Sequence, residues 1–392
     1  MKRIIFVVDN LEIGGVEKSL VTLLSNLNKK NYKIDVLPLY SYGIYKAKIE
    51  KLGVMVLPIP KCKYDSNLIF KSFKVEILKD IKNFKLNRIL DILKLCKKSK
   101  TNKIVNKMCF SDKVRCSVIK EYSTITDEYD IAISYIDRYY SYYVMDKINA
   151  KKKIMWIHSD YDAMKNSITN YNDIYSNFNK IICVSEKARL SFLKKFPCLN
   201  DKTITINNMI DIDTIDNTSK ASLKNDGVKI ISVGRLSKEK RYMELVKLFA
   251  EVKKRITTNA TLYIIGDGPE KRKIKKLIEK QGLNNNVVLL GKKENPYGYM
   301  KSSDIYVQPS VKEGFCLSVY EALYLNKYVI AYNFADTQKI IKNGINGCIC
   351  NNDYEFIEGI VNAINNIKYK KVKKSIDKKY NNDIVLEVEK VL

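Results

Sequence analysis

Short apolar runs alternate with longer stretches of helical period along most of this chain, and the pattern predicts parallel sheets covered by helices. Arg3-Ile-Ile-Phe-Val-Val8 reads as a buried strand, Leu11-Glu-Ile-Gly-Gly15 as a loop, and Val16 to about Asn28 as a helix. The same grammar returns at Val228 to Val233, a strand that ends in Gly234-Arg235-Leu236-Ser-Lys-Glu-Lys240 and leads into an amphipathic helix from Met243. Leu262-Tyr-Ile-Ile-Gly-Asp-Gly-Pro-Glu270 is a strand running into a Gly/Asp/Pro turn, and Asn286 to Gly291, Asp304 to Pro309 and Tyr328 to Ala331 follow as further strands. Strands without polar alternation argue a sheet buried on both faces. In such sheets ligands sit at the carboxyl ends of the strands, which is where Arg235, Lys240 and Glu313 fall.

Earlier in the chain, Lys153-Ile-Met-Trp-Ile-His-Ser-Asp160 puts the single histidine, His158, at a strand end, and Ile181 to Glu186 reads as the strand closing a first domain. A chain of 392 residues exceeds one ordinary core and predicts two domains. The expected division is 1–205, a polar linker 206–226 rich in Asn, Asp, Ser and Thr, a second domain 227–375, and a C-terminal helix 376–392 packing back on the first.

Glu313-Gly-Phe-Cys-Leu-Ser-Val-Tyr-Glu321 sets two carboxylates eight residues apart around a glycine loop and a helix start near Leu317. The first amides of a helix lack partners within it, and its amino end carries about half a positive charge. The loop from Gly314 can therefore offer the N–H groups of Phe315, Cys316 and Leu317 to an anion. Glu321, about one turn into the helix, is placed to accept hydrogen bonds from hydroxyl groups. Taken alone, the two carboxylates read equally well as a helix cap and a solvated charge.

Together these segments resemble the retaining glycosyltransferases of family 4 (glycosyl transferases group 1), in particular bacterial surface-polysaccharide enzymes. The likeness covers most of the chain, densest in 228–350 and thinnest in 60–125. It implies the GT-B fold: α/β, with two Rossmann-like domains whose parallel sheets face a central cleft. The first domain would present the acceptor and the second would hold a nucleotide diphospho-sugar. By this resemblance Arg235 and Lys240 neutralise the donor diphosphate, the one by a forked donor and the other by a point charge. Gly314, Phe315, Cys316 and Leu317 meet the same phosphates, Glu313 the sugar hydroxyls and Glu321 the ribose. Gly14 and Gly15 approach from the first domain, although the spacing G-x-G-x-x-G is absent and a bare Gly-Gly is also an ordinary turn. His158 orients the donor sugar or acceptor, so His158 and Glu313 are the candidate catalytic residues; outside such a context a lone histidine on an apolar flank is more often structural.

Two positions depart from the family pattern. Arg241 stands where members usually carry Gly after the lysine, and Lys339 precedes Ile340 and Ile341 where an acid is common. Asp211-Ile-Asp213 has the letters of a metal-binding D-x-D but falls in the interdomain stretch, so no metal is expected there. The implied reaction moves a sugar, with retention of configuration, from a UDP-sugar (favoured over a GDP-sugar) to a glycan or polyprenyl-diphosphate-linked acceptor. Capsule, lipopolysaccharide or exopolysaccharide synthesis is the implied setting, with no cofactor beyond the donor.

Composition adds two constraints. Nine scattered cysteines without a C-x-x-C pair argue against a zinc site or disulfide framework and for a reducing cytoplasm. The formal net charge of +27 concentrates in residues 61–120, with 17 Lys/Arg against 5 Asp/Glu. There Leu86, Ile89, Leu90 and Leu93 repeat at helical spacing beside Lys85, Arg88, Lys94, Lys97 and Lys98. This face suits an anionic membrane surface on the cytoplasmic side, and equally a core-facing stripe with solvated lysines. No signal peptide or spanning run is visible. Such charge also invites nucleic acid, but no helix-turn-helix, zinc finger or aromatic platform accompanies it. A non-catalytic nucleotide-sugar-binding protein is the other alternative, disfavoured by the joint presence of Arg235, Lys240, Glu313 and Glu321.

Overall fold

A computed structural model describes residues 1–62, 110–164, 171–223, 226–366, 372 and 375–392, with backbone alone for 110–114. The expected helix around Leu86 to Lys98, and most of the basic segment 61–120, lies outside the described residues. The chain divides into two units, Met1–Asn208 with Ile384–Leu392, and Met209–Asp383.

The first unit is built on seven parallel strands: β1 (Lys2–Asn10), β2 (Tyr32–Ser41), β3 (Met55–Val56), β4 (Ile125–Ser134), β5 (Ile148–Ile157), β6 (Lys180–Cys183) and β7 (Thr203–Thr205), in the order β3-β2-β1-β4-β5-β6-β7. Ile4 to Val8 of β1 are wholly buried, and β1 pairs with β2 on one side and β4 on the other. Helices Gly15–Asn26 and Tyr140–Lys147 follow β1 and β4. The chain winds outward in both directions from β1 and β4. Loops leaving those two strands diverge, and that switch point is where such sheets open a crevice.

The Ile181-to-Glu186 segment does not close this sheet. Thr203–Thr205 pairs outside it, with Ile181 opposite Thr203. A three-residue strand inside a polar stretch carries too little apolar signal to be read from pattern alone.

The second unit repeats the plan with β8 (Val228–Val233), β9 (Ala260–Ile265), β10 (Val287–Gly291), β11 (Ile305–Gln308), β12 (Tyr328–Tyr332) and β13 (Gly347–Cys350), all parallel in the order β10-β9-β8-β11-β12-β13. Its switch point lies between β8 and β11. Every residue of β9 is buried, as expected of a strand with helices on both faces. The α/β architecture of two parallel sheets is the one the sequence predicts. Among the described residues no helix is long and apolar enough to cross a membrane.

The loop after β8 is shaped by an unusual residue. Lys238–Lys240 make one turn of 3-10 helix, and Arg241 then takes the left-handed conformation, φ 56° and ψ 33°, before the helix Tyr242–Arg255. Glycine enters that region freely, whereas another residue costs about 1 kcal/mol or more. Arg241 offsets this through its head group, which lies 2.9 Å from Asp353 and 5.0 Å from the centre of the Tyr332 ring. The family's usual glycine and this arginine are thus two solutions to one backbone demand. Arg241→Gly should unfold within about 1 kcal/mol of the wild type, and Arg241→Ala about 1 kcal/mol below Arg241→Gly, because alanine loses the contacts and keeps the strain. Equal stabilities of the two variants in urea unfolding would contradict this account.

Candidate functional site

Two loops flank the β8/β11 switch point, and a part-buried ion pair ties them together. Lys240, from the loop after β8, places Nζ 2.6 Å from both Oε1 and Oε2 of Glu313, in the loop after β11. Glu313 is 9% exposed and Lys240 27%. Withdrawing two charges from water costs several kcal/mol per ion, so such a contact persists only with tight geometry and further hydrogen bonds. Gln308, the last residue of β11, supplies one from Nε2 to Glu313 Oε1 at 3.4 Å, while its own Oε1 accepts from the Tyr306 hydroxyl at 2.8 Å. Burial works against the Lys240 charge, but Glu313 outweighs it and holds the ammonium above its ordinary pKa.

Arg235 stands exposed at the start of the same loop. Burial works against Glu239, but a 2.5 Å hydrogen bond from Ser237 and the charges of Arg235 and Lys240 hold that carboxyl below its usual range. The Gly266-Asp267-Gly268 turn props this loop from behind. Leu236 donates to the Asp267 carbonyl at 2.9 Å, and a Cβ on Gly268 would come within 2.4 Å of the Leu236 carbonyl oxygen. Glycine at 268 is therefore a condition for the loop after β8 to keep its shape.

Beyond Glu313, the helix Leu317–Tyr324 begins where expected, with Cys316 at its head in the left-handed conformation, φ 69°. Among the described residues the amide N–H groups of Phe315, Cys316 and Leu317 donate to no protein acceptor. Phe315 turns its ring inward onto Tyr320, with centroids 4.1 Å apart, so its contribution outward is backbone. The thiol of Cys316 is raised to about 12 by burial and then by Glu313, which leaves it a neutral group. Glu321 is neither a cap nor a solvated charge: it is 2% exposed, and its Oε1 accepts from the Tyr297 hydroxyl at 3.1 Å. Nothing in the sequence around Tyr297 signals that partnership. Asp211 of the D-x-D letters caps a short helix, accepting from the Thr214 amide at 3.2 Å. Lys339, where the family often has an acid, lies 3.2 Å from Asp336.

In the first unit the candidate residues gather at the carboxyl ends of β1, β4 and β5. Gly14 caps the helix Gly15–Asn26, and Glu17 folds its carboxyl back over it, so a Cβ at Gly14 would fall 2.0 Å from Glu17 Oε2. A Cβ on Gly15 would meet nothing within 4 Å. Burial, and after it the charge of Asp9, push Glu17 up to about 8, so near neutral pH this carboxyl is protonated and can donate a hydrogen bond. Sequence reading passed over Glu17, whose acidic letter at a helix start looks like an ordinary dipole partner.

His158 follows β5 directly. Its ring lies 4.7 Å from that of Tyr135, which in turn is 5.1 Å from Trp156 and 5.8 Å from Phe6. The Tyr135 hydroxyl is 3.1 Å from Ser19 Oγ, so one tyrosine links His158 to the helix that starts at Gly15. Nε2 of His158 is buried without a hydrogen-bond partner among the described residues. Burial lowers its pKa to about 3, so the imidazole is neutral near neutral pH.

The sign is testable. An unfolded histidine gains a proton near pH 6.5 while the folded one does not, so this group's contribution to stability is present above pH 6.5 and is lost as pH falls toward 3. The single imidazole C2 proton should show no titration shift in NMR spectra between pH 8 and 5. A midpoint inside that window would overturn the buried, neutral assignment.

Residues 214–381 match the family model described as Glycosyl transferases group 1. Over 197 residues the chain is 32% identical to an uncharacterized glycosyltransferase of Methanocaldococcus jannaschii, covering 47% of this chain and 48% of that protein. It is 28% identical over 170 residues to the N-acetylgalactosamine-N,N'-diacetylbacillosaminyl-diphospho-undecaprenol 4-alpha-N-acetylgalactosaminyltransferase of Campylobacter jejuni, 43% of this chain and 45% of that one. The chain thus spans just under half the length of these two relatives. In structure it resembles Anabaena HepE, solved in complex with UDP and glucose, with a TM-score of 0.69 across 100% of this chain and 99% of the other at 15% identity, a likeness of fold. The two sheets are accordingly those of the GT-B fold, and residues 214–381 carry the match to the Glycosyl transferases group 1 family.

Proposed function

We propose that this chain transfers a sugar, with retention of configuration, from a nucleotide diphospho-sugar to a glycan or lipid-linked acceptor. The observation that carries the reading is the Lys240–Glu313 contact at the β8/β11 switch point, with Arg235 and the amides of Phe315, Cys316 and Leu317 around it. Breaking the bond from the sugar C1 to the diphosphate oxygen leaves negative charge on phosphate and positive charge on the sugar. Arg235, Lys240 and the helix-head amides stabilise the first by fixed, preorganised charge. Glu313 meets the sugar hydroxyls and Glu321 the ribose. Neutral His158 orients a sugar by hydrogen bonding, and Gly15 gives the backbone close approach to the donor phosphates beside Gly14.

UDP is favoured as the nucleotide, in keeping with the UDP held by HepE. An acceptor on a polyprenyl diphosphate, in bacterial surface-glycan synthesis at the cytoplasmic face of a membrane, accords with the diphospho-undecaprenol in the name of the Campylobacter jejuni relative. The reading assigns charge neutralisation to side chains and requires no metal.

Arg235→Ala and Lys240→Ala should each lower kcat/KM about a hundredfold, roughly 3 kcal/mol of transition-state stabilisation, and Glu313→Gln should fall at least as far. The assay is release of nucleoside diphosphate from a panel of UDP- and GDP-sugars. Near-wild-type turnover in all three variants would reject the assignment.

A further inference from the structure

The second unit carries a cavity of about 560 Å³ that the donor reading does not use. Asp216, Lys220, Lys301, Tyr324, Lys327 and Lys378 line it, so four ammonium groups face one carboxylate. Topology sets it apart from Lys240 and Glu313. Lys327 immediately precedes β12, and Lys301 lies in the helix Tyr297–Ser302 that precedes β11, so both stand at the amino ends of strands. Arg235 and Glu313 follow carboxyl ends, on the opposite edge of the same sheet.

The charges do not cancel. Asp216 is already engaged: Lys378 Nζ lies 2.6 Å from Oδ2, and the Tyr324 hydroxyl donates to Oδ1 at 2.9 Å. Lys301 donates to the carbonyls of Asp216 and Thr218 at 3.2 and 2.6 Å, and Lys327 to those of Lys301 and Ser303 at 2.8 and 2.6 Å. Carbonyl oxygens satisfy the N–H donors and fix the ammonium groups in place, but they bring no negative charge. Lys220 is exposed and makes no ion pair among the described residues. Lys220, Lys301 and Lys327 therefore make no ion pair among the described residues, although Asp216 acts on Lys301 and Asp304 on Lys327 from farther off, and two of the three are held in fixed positions. Burial, against the pull of Asp304 and with Lys220 adding to it, lowers Lys327 to about 8, a penalty that an anion in the cavity would relieve.

A phosphoryl group meets this arrangement, since it offers several acceptor oxygens and a concentrated charge to ammonium groups acting as point charges. We propose that the cavity binds a phosphoryl group through Lys220, Lys301 and Lys327, with Lys378 contributing a fourth ammonium. A volume of about 560 Å³ admits an organic substituent as well as the phosphate itself. A soluble phosphate and the headgroup of an anionic phospholipid share this chemistry. The site is independent of the donor reading, and either can fail alone.

The test titrates inorganic phosphate calorimetrically into the full chain and into a Lys220→Gln/Lys378→Gln double variant, whose replaced side chains are exposed. Because the proposed donor site would also take phosphate, both are measured again in the Lys240→Ala background, where that site is weakened. In that background the double substitution should weaken binding about tenfold. Equal affinity with and without the double substitution there, or no phosphate binding by the Lys240→Ala chain, would overturn the proposal. Co-sedimentation with phosphatidylglycerol vesicles, set against phosphatidylcholine, separates the sources. Vesicle binding that the double variant loses supports a lipid phosphate, and phosphate binding without it supports a soluble one.

Discussion

Lys240 and Glu313 hold each other at 2.6 Å across the point where the second sheet changes direction, and the rest of the candidate site is arranged around that contact. A part-buried ion pair of this kind contributes little net stability, because desolvation offsets most of the attraction, while loss of one partner leaves the other's charge uncompensated. What it does give is geometry. It joins two loops that diverge from adjacent strands, brings the head of the helix Leu317–Tyr324 beside the loop after β8, and keeps a charged ammonium where its own burial would disfavour one. The Gly266–Gly268 turn and the Tyr306–Gln308 hydrogen bond serve the same end from outside the pair.

The first unit applies a different physics at its own switch point. Its candidate residues are neutral: an imidazole kept unprotonated by burial, a glutamic acid kept protonated by burial and Asp9, and aromatic rings packed between them. Groups of this sort position hydroxyl-rich molecules by hydrogen bonds and stacking, whereas the second unit presents fixed charge suited to phosphate.

Much of this was legible in the sequence, because the strands β1, β8, β9 and β11 are rich in apolar residues and the residues following β8 and β11 carry the chemistry. The placement of Arg235, Lys240 and Glu313 past strand ends follows from that pattern, as does the helix start at Leu317. Other features leave no mark on pattern. Thr203–Thr205 is too short and too polar to read as a strand, and the left-handed conformations of Arg241 and Cys316 depend on partners distant in sequence or on the path of the chain. Buried Glu321 accepts a hydrogen bond from Tyr297, and Tyr135 joins His158 to Ser19 through three separate segments. Pairings of this kind depend on tertiary packing, and a single sequence does not encode them locally.

The most direct measurement is the affinity of UDP, with GDP alongside, for the wild type, Lys240→Met, Glu313→Gln and the double variant by calorimetry. If the pair lies at the donor phosphates, Lys240→Met weakens binding by about tenfold or more, Glu313→Gln does not, and the double variant departs from additivity because removal of either partner changes what the other can do. Four equal affinities would place the nucleotide elsewhere, and effects of the two substitutions that simply add would uncouple the pair; either contradicts the account.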